Sequence, residues 1–572
     1  MSKIMEMKNL KNKVHRDGFD LSRRVLMTAK VGELLPVDYI PCIPGDTHKI
    51  NLDIFTRTSP LQTAAMARLR EYVDVYFVPY RLLWRHFNDW VLQGDNSSIA
   101  SSWKTGIGQT EFCPYTTLTQ MYRVLQSSAF SGVPTEGSSS EGELTRASAS
   151  AKLLSYLGYP MGEPFNSDFA DKAVNVWNLL AYQKIYQDYF RFGQWERVAP
   201  WTYNVDYLNT GTDMNLYLSD NDYSGVTSMF DLRYVNYNKD YFHGLMPSPQ
   251  YGDDTIASPI TGELRGDLTM SMVDGSTNQA NVFLDKGTGY LKYQGDSSFN
   301  GTKDAKVYAN LSEILNGPNN KAGLSVLSIR YAEMFQKWKE ITLSSTDRSV
   351  KSLLEKHWNV KVSDYFSDLC THVGGIAQNI NINEVVNTNL EADDSQANIH
   401  GKGSNNQQGE MMYTAKEYGV LMVMYHCKPI IEWELRDTFD KTYFQVQAPD
   451  YPIPEFDNIG MEGVRAFEFL GASRLSPDVS DKVVGYASRY INYKTSYDKV
   501  KGDFVNTLQS WVLPYSQSGY DLNYLSFKVH PSIVDNLFGV AVDDSLATDH
   551  LQISCYMNIN SVRNLSRYGL PY

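Results

Sequence analysis

The stretches NLDIFTRT (51–58) and YVDVYFVPY (72–80) alternate apolar with polar or charged side chains and are rich in β-branched and aromatic residues. A period of two is the pattern of a β-strand with one buried face. The segment between them, PLQTAAMARLR (60–70), is short and rich in Ala, and Pro79 ends the second strand because it has no backbone N–H. These stretches predict two strands of a β-core.

Strand-like sequence returns near the carboxyl end. The run YGVLMVMYHCKPIIEWEL (418–435) is unusually long, and shorter strand-like stretches follow at 483–494 and 551–560. Strands near both ends, separated by long segments rich in Gly, Ser, Asn and Asp, are typical of a β-core that has accepted insertions. Residues 92–150 form the first of these segments, and we expect a long irregular loop there.

Two segments are predicted to be helices. VWNLLAYQKIYQDYFRF (176–192) and LSVLSIRYAEMFQKWKEI (324–341) place large apolar side chains at intervals of three and four residues. Because such stripes usually pack against the core, we expect both helices to face inward.

Length and composition limit the class of protein. With 572 residues the chain is too long for one ordinary compact core, so we expect several domains or one core with large insertions. The 39 Tyr residues favour strands and wide, hydrated interfaces. No run approaches about 20 apolar residues, and the first residues lack the apolar core of a signal peptide. We therefore expect no membrane insertion.

Cysteine and histidine give no sign of a disulfide framework or a zinc site. The five Cys are scattered without a CxxC pair, and the ten His show neither HxxxH nor HExxH spacing. We expect synthesis in a reducing cytoplasm and no cofactor.

The charge is unevenly distributed. The whole chain carries 52 − 65 = −13, which argues against a protein that coats nucleic acid with its entire surface. The first 30 residues nevertheless hold eight basic and three acidic side chains, so 8 − 3 = +5. A basic arm of this kind can bind phosphates, although a solvated tail has the same composition. The candidate nucleic-acid-binding residues are Lys3, Lys8, Lys11, Lys13, Arg16, Arg23 and Arg24.

The sequence offers no persuasive catalytic motif. A dinucleotide loop, a P-loop and a GxSxG elbow are all absent. Glu432 and Glu434 stand two apart on a predicted strand, and paired carboxylates on an aromatic-rich scaffold could serve a glycosidase. A solvated strand face explains them equally well, so we predict no catalytic residue.

One segment has the spacing of a calcium loop. In DNDYSGVTSMFD (220–231), the side chains at positions one, three, five and twelve match an EF-hand-like pattern. The last of them is Asp where the pattern has Glu, and a polar surface turn is the simpler interpretation, so no metal site is predicted. The residues concerned are Asp220, Asp222, Ser224, Gly225 and Asp231.

Several collinear strings resemble the major capsid protein of the Microviridae, the small single-stranded DNA phages, on the gokushovirus-like side of that family. They include FDLSRRVLMTAKVGELLPVDYIPCIPGD (19–46), NLLAYQKIYQDYFR (178–191), RYVNYNKDYFHGLMPSPQ (233–250) and VGYASRYINYKTSYDKVKGDF (484–504). The resemblance extends over about residues 19–572. It departs from the family at KWKEITLSSTDRSV (337–350) and in its long loops, which indicates a divergent branch.

The resemblance implies a mainly β fold, an eight-stranded antiparallel jelly roll of viral capsid type with long loop insertions and a few helices. Its domains would be a basic N-terminal arm (1–30) and one jelly-roll domain (31–572). The insertions would include the 92–150 loop and a surface protrusion at 251–305.

The resemblance also implies a function. The chain would assemble with itself into a T=1 icosahedral shell around a circular single-stranded DNA genome, with the protrusion binding a receptor on the host cell surface. A small basic DNA-binding protein and a minor pilot protein are the further partners implied, and the location is the virion, after synthesis in the bacterial host cytoplasm. From the residues alone, an aromatic-rich β-scaffold that binds or hydrolyses polysaccharide remains the alternative.

Overall fold

The chain divides into two compact units. The first is formed by Met1–Pro249 and Thr346–Tyr572, and the second by Gln250–Ser345. The computed structural model describes residues 14–63, 65–92, 113–125, 146–160, 172–207, 228–249, 260–261, 270–273, 279–284, 291–295, 306–309, 323–324, 326–343, 349–363, 367–386, 399–434, 451–457, 460–468, 481–513, 522–535, 537–538 and 549–568.

The first unit is built mainly from antiparallel strands. Its strands are β1 Asp17–Asp20, β2 Arg23–Ala29, β3 Glu33–Cys42, β4 Thr47–Thr58, β5 Arg68–Pro79, β6 Tyr115–Thr117, β7 Ala173–Asn175, β8 Arg233–Tyr234, β15 Thr371–Val386, β16 Ile399–Thr414, β17 Gly419–Ile430, β18 Trp433–Glu434, β19 Met461–Arg465, β20 Val483–Ser488, β21 Lys499–Val500 and β22 Leu551–Arg563. The second unit holds β9 Ile260–Thr261, β10 Met270–Val273, β11 Gln279–Leu284, β12 Leu291–Gly295, β13 Lys306–Ala309 and β14 Gly323–Leu324.

Helices are short, with one exception. They are α1 Phe87–Leu92, α2 Leu118–Leu125, α3 Arg146–Tyr156, α4 Trp177–Ile185, α5 Val326–Leu343, α6 Val350–Trp358, α7 Pro454–Asp457 and α8 Ile491–Lys494. A π-helical turn, Tyr186–Phe190, continues α4. Short 3-10 turns lie at Tyr80–Leu82, Pro200–Thr202, Val205–Tyr207, Ala466–Glu468, Gly502–Val505, Gln509–Trp511, Tyr524–Phe527 and Pro531–Val534. Among the helices of the described residues, none has the length and apolar character that crossing a membrane requires.

Eight of the strands form the jelly roll. The first sheet has the order β2–β22–β4–β16, and the second sheet has the order β3–β17–β5–β15. The long strand β15 joins the two sheets, because its first part pairs with β5 and its last part, Asn381–Val386, pairs with β16. The strands β1 and β8 extend the edges by pairing with β22 and β3. The predicted eight-stranded antiparallel jelly roll is confirmed.

The core lies between the two sheets. Along β4, buried and exposed side chains alternate, so Ile50, Leu52 and Ile54 point inward. Along β22 the same alternation buries Ile553 and Cys555. The predicted half-buried strands therefore form as their period of two requires.

Inserted segments cover the outer face of the second sheet. The strand β17 is buried on both faces over most of its length, and α4 packs against β5 and β17. Tyr182 of α4 is fully buried and its hydroxyl donates a hydrogen bond to the carbonyl of Leu34, 2.9 Å away. The prediction that this helix faces the core is confirmed.

Two other predictions about local structure were wrong. The stretch 92–150 is not irregular throughout, because α2 and the start of α3 lie within it and bury Met121 and Ala149. The helix α5 forms as predicted, but its apolar stripe is exposed, with Leu327 78% and Tyr331 65% accessible. Spacing indicates that one face of a helix is apolar and does not identify the surface that covers it.

The second unit has its own small sheet. The strands β12–β11–β10–β13 form a four-stranded antiparallel sheet, and β9 pairs with β14. The predicted insertion at 251–305 lies in this unit, which continues through α5 to Ser345.

We expect His48 to make the jelly roll sensitive to acid. Its side chain is fully buried, Nδ1 lies 2.7 Å from the hydroxyl of Ser561, and burial lowers the pKa to about 4. Burial also holds the pKa of His426 well below its ordinary value. Both rings are neutral in the folded chain and can take up a proton on unfolding once the pH falls below about 6.5.

We therefore expect the free energy of unfolding to fall as the pH decreases below about 6.5. For His48 the fall continues to about pH 4, at up to about 1.4 kcal/mol per pH unit. Thermal unfolding measured across this range tests the expectation. His48→Gln should flatten the profile, whereas His15→Gln, at an exposed position, should leave it unchanged. Equal profiles for the wild type and His48→Gln would refute the assignment.

Candidate nucleic-acid interface

Three of the seven predicted nucleic-acid-binding residues lie in the described part of the chain. Lys3, Lys8, Lys11 and Lys13 lie outside the described residues. Arg16 is exposed just before β1, and its guanidinium donates to the carbonyl of Gly45 at 3.1 Å. Arg23 and Arg24 begin β2.

The two neighbouring arginines of β2 have different surroundings. The guanidinium of Arg23 forms an ion pair with Asp38 and donates a hydrogen bond to the carbonyl of Tyr39 at 2.8 Å. Arg24 is exposed, and its Nε donates to the hydroxyl of Ser554 at 2.9 Å. Because successive side chains of a strand point to opposite faces, Arg24 lies on the outer face of the first sheet.

Aromatic side chains surround Arg24 on that outer face. Arg24 stands opposite Tyr556 in the β2–β22 register, and Ser554 stands between Leu26 and Phe55 of the flanking strands. Phe55 is 39% exposed, Tyr556 46% and Leu26 69%. We call the surface formed by Arg24, Leu26, Phe55, Arg57 and Tyr556 the arginine–aromatic face.

A shallow groove crosses this face. Its volume is about 560 Å³, and Tyr156 of α3 closes one side of it. The guanidinium carbon of Arg57 lies 4.9 Å from the ring centroid of Phe55, a cation–π contact. The hydroxyl of Tyr156 donates to the carbonyl of Thr28 at 2.6 Å, so the wall of the groove is fixed to β2.

Charges around the groove are mostly positive. Arg57 and Lys402 lie on the same outer face, and both are exposed. Lys49 is neutralised by Glu410, with Nζ 2.7 Å from the carboxylate. Asp53, opposite Tyr556, is the nearest acidic neighbour in the strand register. Many of the other outward positions of these strands carry neutral hydrogen-bonding side chains, and the exposed Met412 and Val562 are apolar exceptions. The neutral hydrogen-bonding side chains include Asn51, Ser404, Asn406, Gln408, Gln552, Ser554, Asn558 and Asn560.

This combination can bind a single strand of nucleic acid. Guanidinium groups pair with phosphates, exposed rings stack on unpaired bases, and neutral amides and hydroxyls form hydrogen bonds without regard to charge. Sequence reasoning missed Phe55, Arg57 and Tyr556. The alternation in NLDIFTRT already assigns Phe55 and Arg57 to the face opposite Leu52 and Ile54. Their position on the outer face could therefore have been predicted from the sequence.

The two carboxylates considered for glycoside hydrolysis have structural surroundings. Glu432 lies 3.6 Å from the guanidinium of Arg68. Burial raises the pKa of Glu432, and Arg68 partly offsets this effect. Glu434 is buried in β18, where it stands opposite Val500 of β21.

The calcium-like loop falls mostly outside the described residues. This applies to Asp220, Asp222, Ser224 and Gly225. Asp231 is described, and both of its carboxylate oxygens accept hydrogen bonds from Arg146, at 2.6 and 2.9 Å. It also accepts a hydrogen bond from the backbone N–H of Ser228 at 2.6 Å. Asp231 is thus occupied by a buried ion pair. Within the described ranges, no group of three or more His, Cys, Asp or Glu side chains is arranged to hold a metal ion.

Comparisons with known proteins agree on the family. The sequence matches the family described as "Capsid protein (F protein)" over residues 8–121 and 160–572. It is similar to capsid protein VP1 of Chlamydia phage 1, with 22% identity over 98% of this chain and 96% of that protein. It is also similar to capsid protein VP1 of Bdellovibrio phage phiMH2K, with 20% identity over 87% of this chain and 85% of that protein. With a jelly-roll core and a match over most of its length, the chain belongs to the capsid protein (F protein) family of the Microviridae and is a structural capsid protein, not an enzyme.

Proposed function

We propose that this capsid protein assembles with copies of itself into a T=1 icosahedral shell that encloses a circular single-stranded DNA genome. The jelly roll and the family support the shell, and the exposed rings and arginines of the arginine–aromatic face support contact with single-stranded DNA. A carbohydrate-degrading function has no comparable support, because Glu432 and Glu434 are held by structural contacts.

The genome contact combines two regions of the chain in this proposal. The arginine–aromatic face stacks on unpaired bases, and the part of the basic arm (1–30) that precedes β1 neutralises phosphates through Lys3, Lys8, Lys11, Lys13 and Arg16. Each contact is individually weak and depends on salt. A shell with a net charge of −13 per chain therefore holds DNA at a few places only and leaves the genome free to be released.

Further partners follow from the same proposal. A small basic DNA-binding protein supplies positive charge that the acidic chain lacks, and a minor pilot protein accompanies the genome. Synthesis takes place in the bacterial host cytoplasm, in line with five free cysteines, four of which are buried. The mature location is the virion.

The second unit is proposed to attach the particle to its host. Gln250–Ser345 is a compact unit with its own sheet, inserted between two parts of the jelly-roll unit. An inserted unit can vary in sequence without disturbing the sheets that build the shell. Its ligand is a receptor on the host cell surface.

Shell formation can be tested by electron microscopy of the purified protein. Uniform small particles with T=1 symmetry and protected single-stranded DNA are expected. Protein that remains in monomers or small oligomers, both alone and in the native host, would contradict the proposal.

Arg24 and Arg23 provide a matched pair for the genome contact. Arg24→Gln should weaken the binding of a single-stranded oligonucleotide and reduce the slope of log K against log salt by about 0.7, the value for one phosphate contact on a single strand. Fluorescence anisotropy at several salt concentrations measures both quantities.

Arg23→Gln is the control, because it removes the same charge from the adjacent position. It should lower the melting temperature through loss of the ion pair with Asp38 and leave the oligonucleotide affinity unchanged. Equal losses of affinity in the two variants would mean that only net charge matters and that the arginine–aromatic face has no special role.

Host attachment can be tested by replacing Gln250–Ser345 with a flexible Gly/Ser linker. Shells should still assemble, because the jelly-roll strands are intact, and adsorption to host cells should fall sharply. Counting bound particles after sedimentation of the cells measures this. Normal adsorption by the shortened particle would assign the receptor site to another part of the chain.

A further inference from the structure

The helix α5 carries a stripe of exposed large apolar side chains. Leu327, Tyr331, Met334 and Trp338 are 78%, 65%, 56% and 53% exposed, and Ile341 continues their line half-buried. The intervals along this stripe are four, three, four and three residues. This is an average period of 3.5, the repeat of positions a and d in a coiled coil.

The repeat is one that a second helix can cover. A straight helix packed on a sheet follows a period of 3.6, whereas a strict alternation of four and three keeps a narrow seam facing a second helix along its whole length. From Leu327 to Ile341 the seam is about 21 Å long, at 1.5 Å per residue.

Aromatic rings broaden one side of the seam. The ring of Phe335 stacks on that of Tyr331, with centroids 6.0 Å apart, and lies 5.7 Å from that of Trp338. The side chains of Leu327, Tyr331, Met334 and Trp338 together present on the order of 400–500 Å² of apolar surface. Soluble chains rarely expose a contiguous apolar patch of this size unless it binds another surface.

The charges of this helix permit two identical copies to meet. Arg330, Glu333, Lys337 and Glu340 alternate in sign along the helix. Glu333 precedes Lys337 by four residues, the order that favours an ion pair within one helix. Together with Lys339 these charges give the helix a net charge of 3 − 2 = +1, so the repulsion between two copies is small.

We propose that α5 packs against α5 of a second copy of this chain, through a seam formed by Leu327, Tyr331, Met334 and Trp338. This inference rests on the proposed assembly into shells, where identical chains stand side by side at fixed positions. The seam is self-complementary, because each helix presents the same knobs to the same spaces of its partner.

Cysteine cross-linking of assembled particles tests the contact. Met334 lies midway between Leu327 and Ile341, so two Met334 side chains meet whether the helices run parallel or antiparallel. In a Cys113→Ser background, which removes the half-buried native cysteine and leaves the four buried ones, Met334→Cys particles should form disulfide-linked dimers on mild oxidation. Non-reducing gel electrophoresis measures the dimer.

Glu333→Cys is the matched control on the same turn. Its side chain is exposed at the flank of the helix, so it should give much less dimer than Met334→Cys. Intact Met334→Cys particles without dimer would overturn the inference, and so would equal dimer from the two variants, which is the result of random collision.

A second pair of variants measures the stability of the particle. The double variant Leu327→Ser/Met334→Ser should lower the temperature at which particles dissociate. The circular dichroism of its separated chain should be unchanged. The control is the double variant Val350→Ser/Leu353→Ser in α6. It removes comparable apolar side chains, which are 62% and 53% exposed. Equal shifts for the two pairs would overturn the role of α5.

Electron microscopy of the unmodified chain distinguishes a failure of the proposed shell assembly from a failure of the α5 contact. Absence of wild-type particles would contradict the proposed function and the inference together. Wild-type particles combined with unlinked Met334→Cys chains would contradict the inference alone.

Discussion

A buried carboxylate between the two sheets sets their alignment. Glu71 of β5 is fully buried, and its oxygens accept hydrogen bonds from the side chains of Asn405 at 2.5 Å, Gln407 at 2.7 Å and Tyr425 at 3.1 Å. A buried charge is tolerated only where hydrogen-bond donors surround it. Because these donors come from β16 and β17, a slip of one residue in either strand would point them away from the carboxylate. The same register determines which residues emerge on the outer face of the first sheet.

The arginine–aromatic face is a consequence of this register. Its residues come from β2 and β4, which are near each other in sequence, and from the distant strand β22. The inward positions of the same strands are filled by core residues such as Ile54 and Cys555. The core thus requires every second residue, and the alternate residues are free to carry charge and rings. A chain that is acidic overall can in this way hold a locally basic surface.

The sequence allowed the class of fold and several strands to be predicted from short-range patterns. The period of two in residues 51–58 predicted β4, and the stripe at 176–192 predicted both α4 and its buried face. The pairing of β2 with β22 could not be predicted, since more than 500 residues separate Arg24 from Tyr556 in the sequence. Arg23 and Arg24 were equivalent as charges, and only the strand geometry assigned one to Asp38 and the other to the surface. The inward orientation expected for α5 was wrong because an apolar stripe does not distinguish the chain's own core from another chain.

The position of β22 also affects how the subunit is made. This strand, Leu551–Arg563, lies between β2 and β4 in the first sheet, and it is synthesised after the other strands of that sheet. A nascent chain that has not reached residue 551 exposes the pairing edges of β2 and β4 and cannot close its core. Closure of this sheet therefore awaits the synthesis of β22, and contacts of such large sequence separation usually form slowly. A polypeptide truncated before β22 lacks an inner strand of this sheet, so only chains that contain β22 can complete the jelly roll.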